Sequence, residues 1–363
     1  INLDNGASTP TFQPIWDVVR RTWRAPHTVR TEIVRQVREI VAAFLGAPLE
    51  DYEVLFCSNT TEALNLAALN LEAHAEPGIE PVILNTRMEH HSNELPWRES
   101  IADVVTIHED ADGHIDLAHL EEELIRYADR PLRIGSFSAA SNVTGIITDT
   151  AAVSSVLHRH DALSFWDFAA AAPYVGIVMG PVDPEDPQSY KDAIFLSPHK
   201  MIGGPGTPGV LVARRELFTN RVPVVPGGGT VAYVNPTDHR YLEDPEHREE
   251  GGTPDIIGAI RTGLVFRLKE SVGGEVIRDA EEGFIRRAIE SWSENPNIEI
   301  LGNPDADRLS IVSFVVRYGT RYLHHNFVVA LLNDLFGIQS RGGCSCCLLY
   351  TSDAADDQWR VGG

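Results

Sequence analysis

Apolar residues recur along this chain in two rhythms. Glu32 to Phe44 repeats them every three or four positions without Gly or Pro, which predicts a helix, and Asn59 to Leu71 predicts a second. Short apolar runs of strand type follow at Val82 to Asn85, Val104 to Ile107, Arg133 to Ser136, Leu163 to Trp166, Ala193 to Leu196 and Gly209 to Ala213. Helical patterns such as Leu117 to Ala128 and Thr150 to His160 lie between them. Alternation of this kind predicts an α/β domain, a mainly parallel sheet covered by helices. The Pro- and Gly-rich stretch from Pro223 to Pro254 reads as a long loop region. Beyond it, Ile256 to Ser271, Glu275 to Trp292 and Phe327 to Leu335 read as helices and Leu309 to Val316 as a strand, which predicts a smaller α+β domain. The expected division is 1–255 for the large domain with its N-terminal segment and 256–346 for the small one.

The 363 residues include 30 basic and 52 acidic side chains, a formal net charge of -22. That balance argues against nucleic acid or an anionic membrane as partner. No apolar run approaches the roughly 20 residues that cross a bilayer. Only Lys191, Lys200 and Lys269 are lysines, and arginine supplies the other positive charges. Cys57 stands apart, whereas Cys344, Cys346 and Cys347 crowd together, poor spacing for a disulfide framework and without a second cluster for zinc. A reduced, cytoplasmic compartment is the default expectation. The chain opens at Ile1 in a strand-like segment, which suggests a fragment. Cys347 to Asp357 reads CLLYTSDAADD, and its back-translation resembles a transposase-type sequencing adapter. Residues 347–363 are therefore set apart from the fold as a non-native tail, which leaves the small domain truncated near Cys346.

With so few lysines, each is informative. Lys191 and Lys269 sit in polar, helix- or loop-like contexts and read as surface charges. Lys200 follows a strand in Ser197-Pro198-His199-Lys200 and precedes Gly203-Gly204-Pro205-Gly206. An amine placed there can form a Schiff base once deprotonated, although an ordinary loop lysine would give the same pattern. Asp167 closes a strand, where open α/β sheets bind ligands; it suits a protonated heterocycle nitrogen, or a helix cap. Asn59 with Glu62 has capping-box spacing, and the hydroxyls of Thr60 and Thr61 at a helix start suit phosphate as well as plain capping. In Glu89-His90-His91-Ser92-Asn93 the paired histidines diverge and no third metal ligand is evident. One imidazole stacked on a ring or moving protons fits better than a metal, and a surface pair is the plain alternative. Arg341-Gly342-Gly343-Cys344-Ser345-Cys346 places thiols beside arginine in a glycine-rich loop, where a cysteine can be exposed and lowered in pKa, an incidental thiol being the plain alternative.

Seven motifs stand in a recognisable order: Leu3 to Pro10, Asn59 to Asn65, Glu89 to Asn93, Ser141-Asn142-Val143-Thr144-Gly145, Ser197 to Lys200, Gly251-Gly252-Thr253-Pro254 and Arg341 to Cys346. In these the chain resembles the class V aminotransferase family of fold-type I enzymes dependent on pyridoxal 5'-phosphate (PLP), and within it the cysteine desulfurase and selenocysteine lyase branch. The resemblance covers nearly all of residues 2–346. It implies a large domain with a seven-stranded, mainly parallel sheet and a homodimer. Lys200 would hold PLP as a Schiff base, His90 would stack on the ring, and Asp167 would pair with the ring nitrogen. Thr60, Thr61, Ser197 and His199 would hold the phosphate, with Thr253 reaching in from a partner subunit. Asn142 would lie near the substrate or the phenolic oxygen, and Arg341 near the substrate carboxylate or the cysteine loop. Cys346 fits the family's sulfur-accepting position and Cys344, two residues away, fits it less well. A desulfurase would remove sulfur or selenium from cysteine or selenocysteine, release alanine, and pass the sulfur to an acceptor protein through a persulfide on Cys346.

One departure stands out. Asp167-Phe168-Ala169-Ala170 occupies the place where desulfurases usually carry Asp-x-Ala-Gln, and Ala170 has no donor for the cofactor's phenolic oxygen. A transamination, epimerisation or β-elimination on an amino-acid substrate is the competing expectation. A binding protein that merely kept the fold is disfavoured by the joint presence of Lys200, Asp167 and His90.

Overall fold

The computed structural model describes residues 1–72 and 79–343. The chain runs α1 (Gln13–Thr22), α2 (His27–Leu45), β1 (Tyr52–Cys57), α3 (Thr60–Glu72), β2 (Val82–Thr86), α4 (His91–Arg98), β3 (Asp103–Ile107), α5 (Leu117–Arg126), β4 (Arg133–Ser138), α6 (Thr150–Arg159), β5 (Leu163–Asp167), β6 (Ala193–Leu196) and β7 (Gly209–Arg214). A hairpin of β8 (Val231–Val234) and β9 (His239–Tyr241) comes next, then α7 (Pro245–Glu249), α8 (Ile256–Val272) and α9 (Gly274–Ser293). β10 (Ile298–Ile300), β11 (Phe314–Tyr318), β12 (Arg321–Tyr322) and α10 (His325–Phe336) close the described chain. No helix among the described residues is long and apolar enough to cross a membrane.

The seven-stranded sheet has the order β1-β7-β6-β5-β4-β2-β3. β3, β2, β4, β5 and β6 pair in parallel, whereas β7 is antiparallel to both β6 and β1. Two reversals cancel, so β1 again points the same way as β6. The carboxyl ends of β1, β2, β4, β5 and β6 therefore open on one edge. Side chains alternate between two packed layers. Val82, Leu84, Phe137, Trp166, Ile194, Leu196, Val210 and Val212 face one cluster, and Ile83, Ile134, Phe165, Ala193, Phe195, Leu211 and Ala213 the other. Burial on both faces is why these strands read as continuous apolar runs.

Local chemistry sets the helix ends. α2 stops at Gly46, which takes φ +61°, and Ala47 N donates to Ala42 O at 2.9 Å in a Schellman-type turn. Asp116 caps α5 and Asp149 caps α6 through amides two and three residues on, at 3.0–3.1 Å. α8 packs against α2 and α1, and α9 against β10.

Three expectations need correction. The stretch from 223 to 254 is not continuous loop, because the β8–β9 hairpin and α7 lie inside it. The strand placed at Leu309 to Val316 is Phe314–Tyr318; Leu309 is fully buried and its amide donates to Gly145 O at 2.8 Å, which draws that half of the run away from the small sheet. Lys191 and Lys269 are not surface charges: they are 2% and 6% exposed. Lys191 Nζ donates to Val178 O at 3.1 Å. Lys269 Nζ donates to Ala172 O and Val175 O, both at 2.5 Å, with the Phe44 ring centroid 5.4 Å away. Burial brings both ammonium groups down to about 8.

Candidate active site

The common edge of the sheet collects most of the chemically distinctive residues. Thr60 opens α3 just beyond β1, and its hydroxyl donates to Leu196 O at 2.8 Å and lies 2.5 Å from Ser197 Oγ. Two hydroxyls thus meet at the start of a 13-residue helix, where free amides and the helix dipole favour an anion. Asn59 Oδ1 accepts the Glu62 amide at 2.9 Å, while Glu62 accepts from Ser58 N, so the box closes one residue earlier than the simple motif. The close approach depends on Gly209: a Cβ there would lie 2.2 Å from Asn59 C and 2.5 Å from Thr60 N.

Asp167 ends β5 and is 6% exposed. Its Oδ1 accepts the Ala169 amide at 2.7 Å. Burial pushes its pKa up, and the Ala169 hydrogen bond and the Lys200 charge pull it back. Lys200 closes the short 3-10 turn Pro198–Lys200 beyond β6. The turn is tight because Gly204 fits against it: an added Cβ would stand 2.1 Å from Pro198 O. Burial and the nearby Lys200 charge lower His199.

His90 caps α4, its Nδ1 accepting the Ser92 amide at 3.1 Å. That contact leaves the proton of the neutral ring on Nε2. Burial first, then the charges of Lys200, His91 and Arg341, bring His90 down to about 4, so the ring is neutral near pH 7. Thr61 reaches the same corner, 2.8 Å from Ser92 Oγ. Asn142 is half-buried in the turn after β4. Lys200 and Arg341 both act electrically on His90.

Thr253 is exposed, between α7 and α8. Cys346 and Cys344 lie outside the described residues, as does the 347–363 tail.

Several contributors carried no role in the sequence reading. Arg341 Nη2 is 2.9 Å from Asp4 Oδ1. Asn2 bridges Gln339 in parallel, while Ser8 and Thr9 donate to His199 O, each at 3.2 Å. The N-terminal segment therefore ties the Arg341 loop to the Lys200 turn, although its motif gave no hint of that partner. Arg38 Nε lies 3.0 Å from Glu246 Oε1, and its Nη2 lies 2.5 Å from Glu250 Oε2. Glu250 Oε1 accepts the Phe56 amide at 2.7 Å. This group fastens α7, and the 251–254 loop after it, to β1.

The residues fit PLP. Asp167 is a buried acceptor suited to a protonated ring nitrogen, the Thr60–Ser197 corner suits a phosphate, and Lys200 carries an amine whose charge reaches Asp167 and both neighbouring histidines.

Comparison with known proteins agrees. A family model, aminotransferase class-V, matches residues 1–361. A probable cysteine desulfurase of Staphylococcus aureus is 30% identical over 360 residues, covering 95% of this chain and 82% of the relative. One from Halobacterium salinarum is 28% identical, covering 95% of this chain and 82% of the relative. The apo cysteine desulfurase of Thermococcus onnurineus superimposes with a TM-score of 0.83 at 28% identity, over 97% of this chain and 86% of the other. The chain belongs to the class-V aminotransferase family of PLP-dependent enzymes.

Proposed function

We propose that this enzyme is a desulfurase that takes sulfur from L-cysteine, or selenium from selenocysteine, and releases alanine. The observation that carries the reading is the meeting of Lys200, Asp167 and His90 at one edge of the sheet, in a chain related to proteins named cysteine desulfurases. When bound, PLP supplies an electron sink that makes the substrate's Cα proton labile and its Cβ–S bond breakable. In this proposal Lys200 anchors the cofactor and then removes the Cα proton as a free amine. Asp167 keeps the ring nitrogen protonated. His90 would stack on the ring and exchange a proton through Nε2. Thr60, Thr61, Ser197 and His199 bind the phosphate, Thr253 serves the partner subunit of a homodimer, and Asn142 and Arg341 orient the substrate. Cys346 would attack the substrate sulfur as a thiolate, forming an S–S bond as the Cβ–S bond breaks with its electron pair left on the three-carbon fragment released as alanine, and would carry the sulfur as a persulfide to an acceptor protein. The expected compartment is the cytoplasm.

Ala170 favours a second reading, another PLP reaction on an amino-acid substrate, because it offers no donor beside the cofactor. The test supplies PLP, cysteine and a reductant, and quantifies alanine and sulfide from wild type and Cys346→Ala. Equal alanine and sulfide, lost in the variant, support desulfuration. No alanine, or production indifferent to Cys346, moves the choice to the second reading. Visible absorbance after PLP loading that vanishes in Lys200→Ala checks the anchor separately.

A further inference from the structure

A second buried carboxyl lies behind Asp167, and none of the roles above uses it. Glu89 is 1% exposed. Its Oε1 accepts Thr86 Oγ1 at 2.8 Å, and its Oε2 accepts Asn93 Nδ2 at 2.8 Å and Ser138 Oγ at 2.7 Å. The Asn93 amide is fixed in this sense, because its Oδ1 accepts Ser136 Oγ at 2.6 Å and Trp97 Nε1 at 3.4 Å. Ser138 stands on β4 directly beside Asp167 on β5. The groups facing Glu89 from β2, α4 and β4 are thus uncharged, and the charge that bears on it is the like charge of Asp167 from β5.

We propose that Glu89 is a positioning residue of the cofactor site, a second carboxylate behind Asp167 that strengthens its hold on a protonated ring nitrogen. Two carboxylates in one dry region repel, and a cation placed against Asp167 relieves both. Each negative charge therefore favours the protonated ring, and by linkage the protonated ring favours the charged form of Glu89. Without that cation, burial pushes Glu89 up to about 7, which leaves it able to respond. A purely structural role would need only a neutral side chain of the same shape. The inference rests on the PLP reading.

The test titrates the apoprotein at pH 8 with PLP and with its 1-deaza analogue, which has carbon in place of the ring nitrogen. Binding is followed by tryptophan fluorescence. Glu89→Gln keeps the shape of the side chain, and its amide can turn toward the Thr86 hydroxyl. It should weaken PLP binding on the order of tenfold and leave the analogue within about twofold. Ser138→Ala withdraws one donor and makes the charged form of Glu89 harder to hold. It should weaken PLP in the same direction by roughly threefold, again sparing the analogue, and it carries the comparison if Glu89→Gln does not fold. Equal losses for both ligands, or no loss for either, overturn the proposal. A wild-type protein that binds neither ligand overturns the PLP reading, and the inference falls with it.

Discussion

Arg38→Met should strand two carboxylates and loosen the 251–254 loop. The side chains of Arg38, Glu246 and Glu250 are 10%, 20% and 11% exposed. Removing one partner of a buried ion pair costs about 3–5 kcal/mol, since a charge stays behind without compensation. Glu246 retains some water, which argues for the lower end, about 3 kcal/mol. For 363 residues the unfolding entropy is roughly 0.8 kcal/mol per kelvin, so the melting temperature should fall by about 4 °C at pH 8. Burial already pushes Glu246 up against the pull of Arg38. Without Arg38 that rise grows. A carboxyl whose folded pKa is raised contributes fully at low pH and loses its contribution as pH climbs through the folded value. The deficit should therefore be smaller at pH 5.5 than at pH 8. Adding Glu250→Gln removes one of the stranded charges and should restore about half of the loss. Thermal unfolding of wild type and the two variants at both pH values decides the matter. A shift below about 1 °C at pH 8, or a deficit that widens on acidification, would refute the buried-triad argument.

Glu89 makes a second pH prediction, for the apoprotein. Its folded value of about 7 lies above the ordinary 4.5, so its stabilising contribution is whole below pH 4.5 and is lost by about pH 7. The loss is about 3 kcal/mol, and Glu89→Gln should flatten that slope in urea titrations; an unchanged slope counts against it. Gly209→Ala drives a methyl into the Asn59–Thr60 backbone and should cost about 2–3 kcal/mol. Equilibrium dialysis should show weaker PLP retention in the same variant. Lys269→Met leaves Ala172 O and Val175 O without their donor, a loss of about 2 kcal/mol. Amide exchange should quicken in the 171–175 segment, and unaltered protection there would dismiss the clamp.

The strand ends at Asp167 and Lys200 were legible because a parallel sheet covered on both faces writes itself as short apolar runs, and each follows one; β1, ahead of Thr60, was not among the runs read. The capping chemistry of Asn59 and Glu62 was legible because it is local. The pairing of Thr60 with Ser197 was not, since it depends on β1 reaching the sheet through antiparallel β7, and sequence rhythm carries no strand order. Helix α4 was missed for a different reason. Pro96 interrupts its pattern, and its buried face is polar, with Asn93 and Glu94 alongside Trp97. That polarity is the network holding Glu89, so the feature that hid the helix is the one that gives the site its second carboxyl.

Local polarity does not report exposure at Lys191 and Lys269, which are both buried. Gly258, Thr262, Val265, Phe266 and Lys269 form one buried stripe of α8, so helical periodicity already carried the signal for Lys269. Lys191 is harder, since its partner is a main-chain carbonyl that no sequence displays. Both act on the segment that leaves Asp167: Lys269 holds Ala172 and Val175, Lys191 Nζ holds Val178, and the Lys191 amide donates to Met179 O at 2.8 Å. The compact ammonium of Lys269 turns two of its donors toward converging carbonyls, whereas Lys191 Nζ holds a single one. All three lysines thus serve one region, with the Lys200 charge acting on Asp167 at the open edge and the other two fixing the backbone that leaves it.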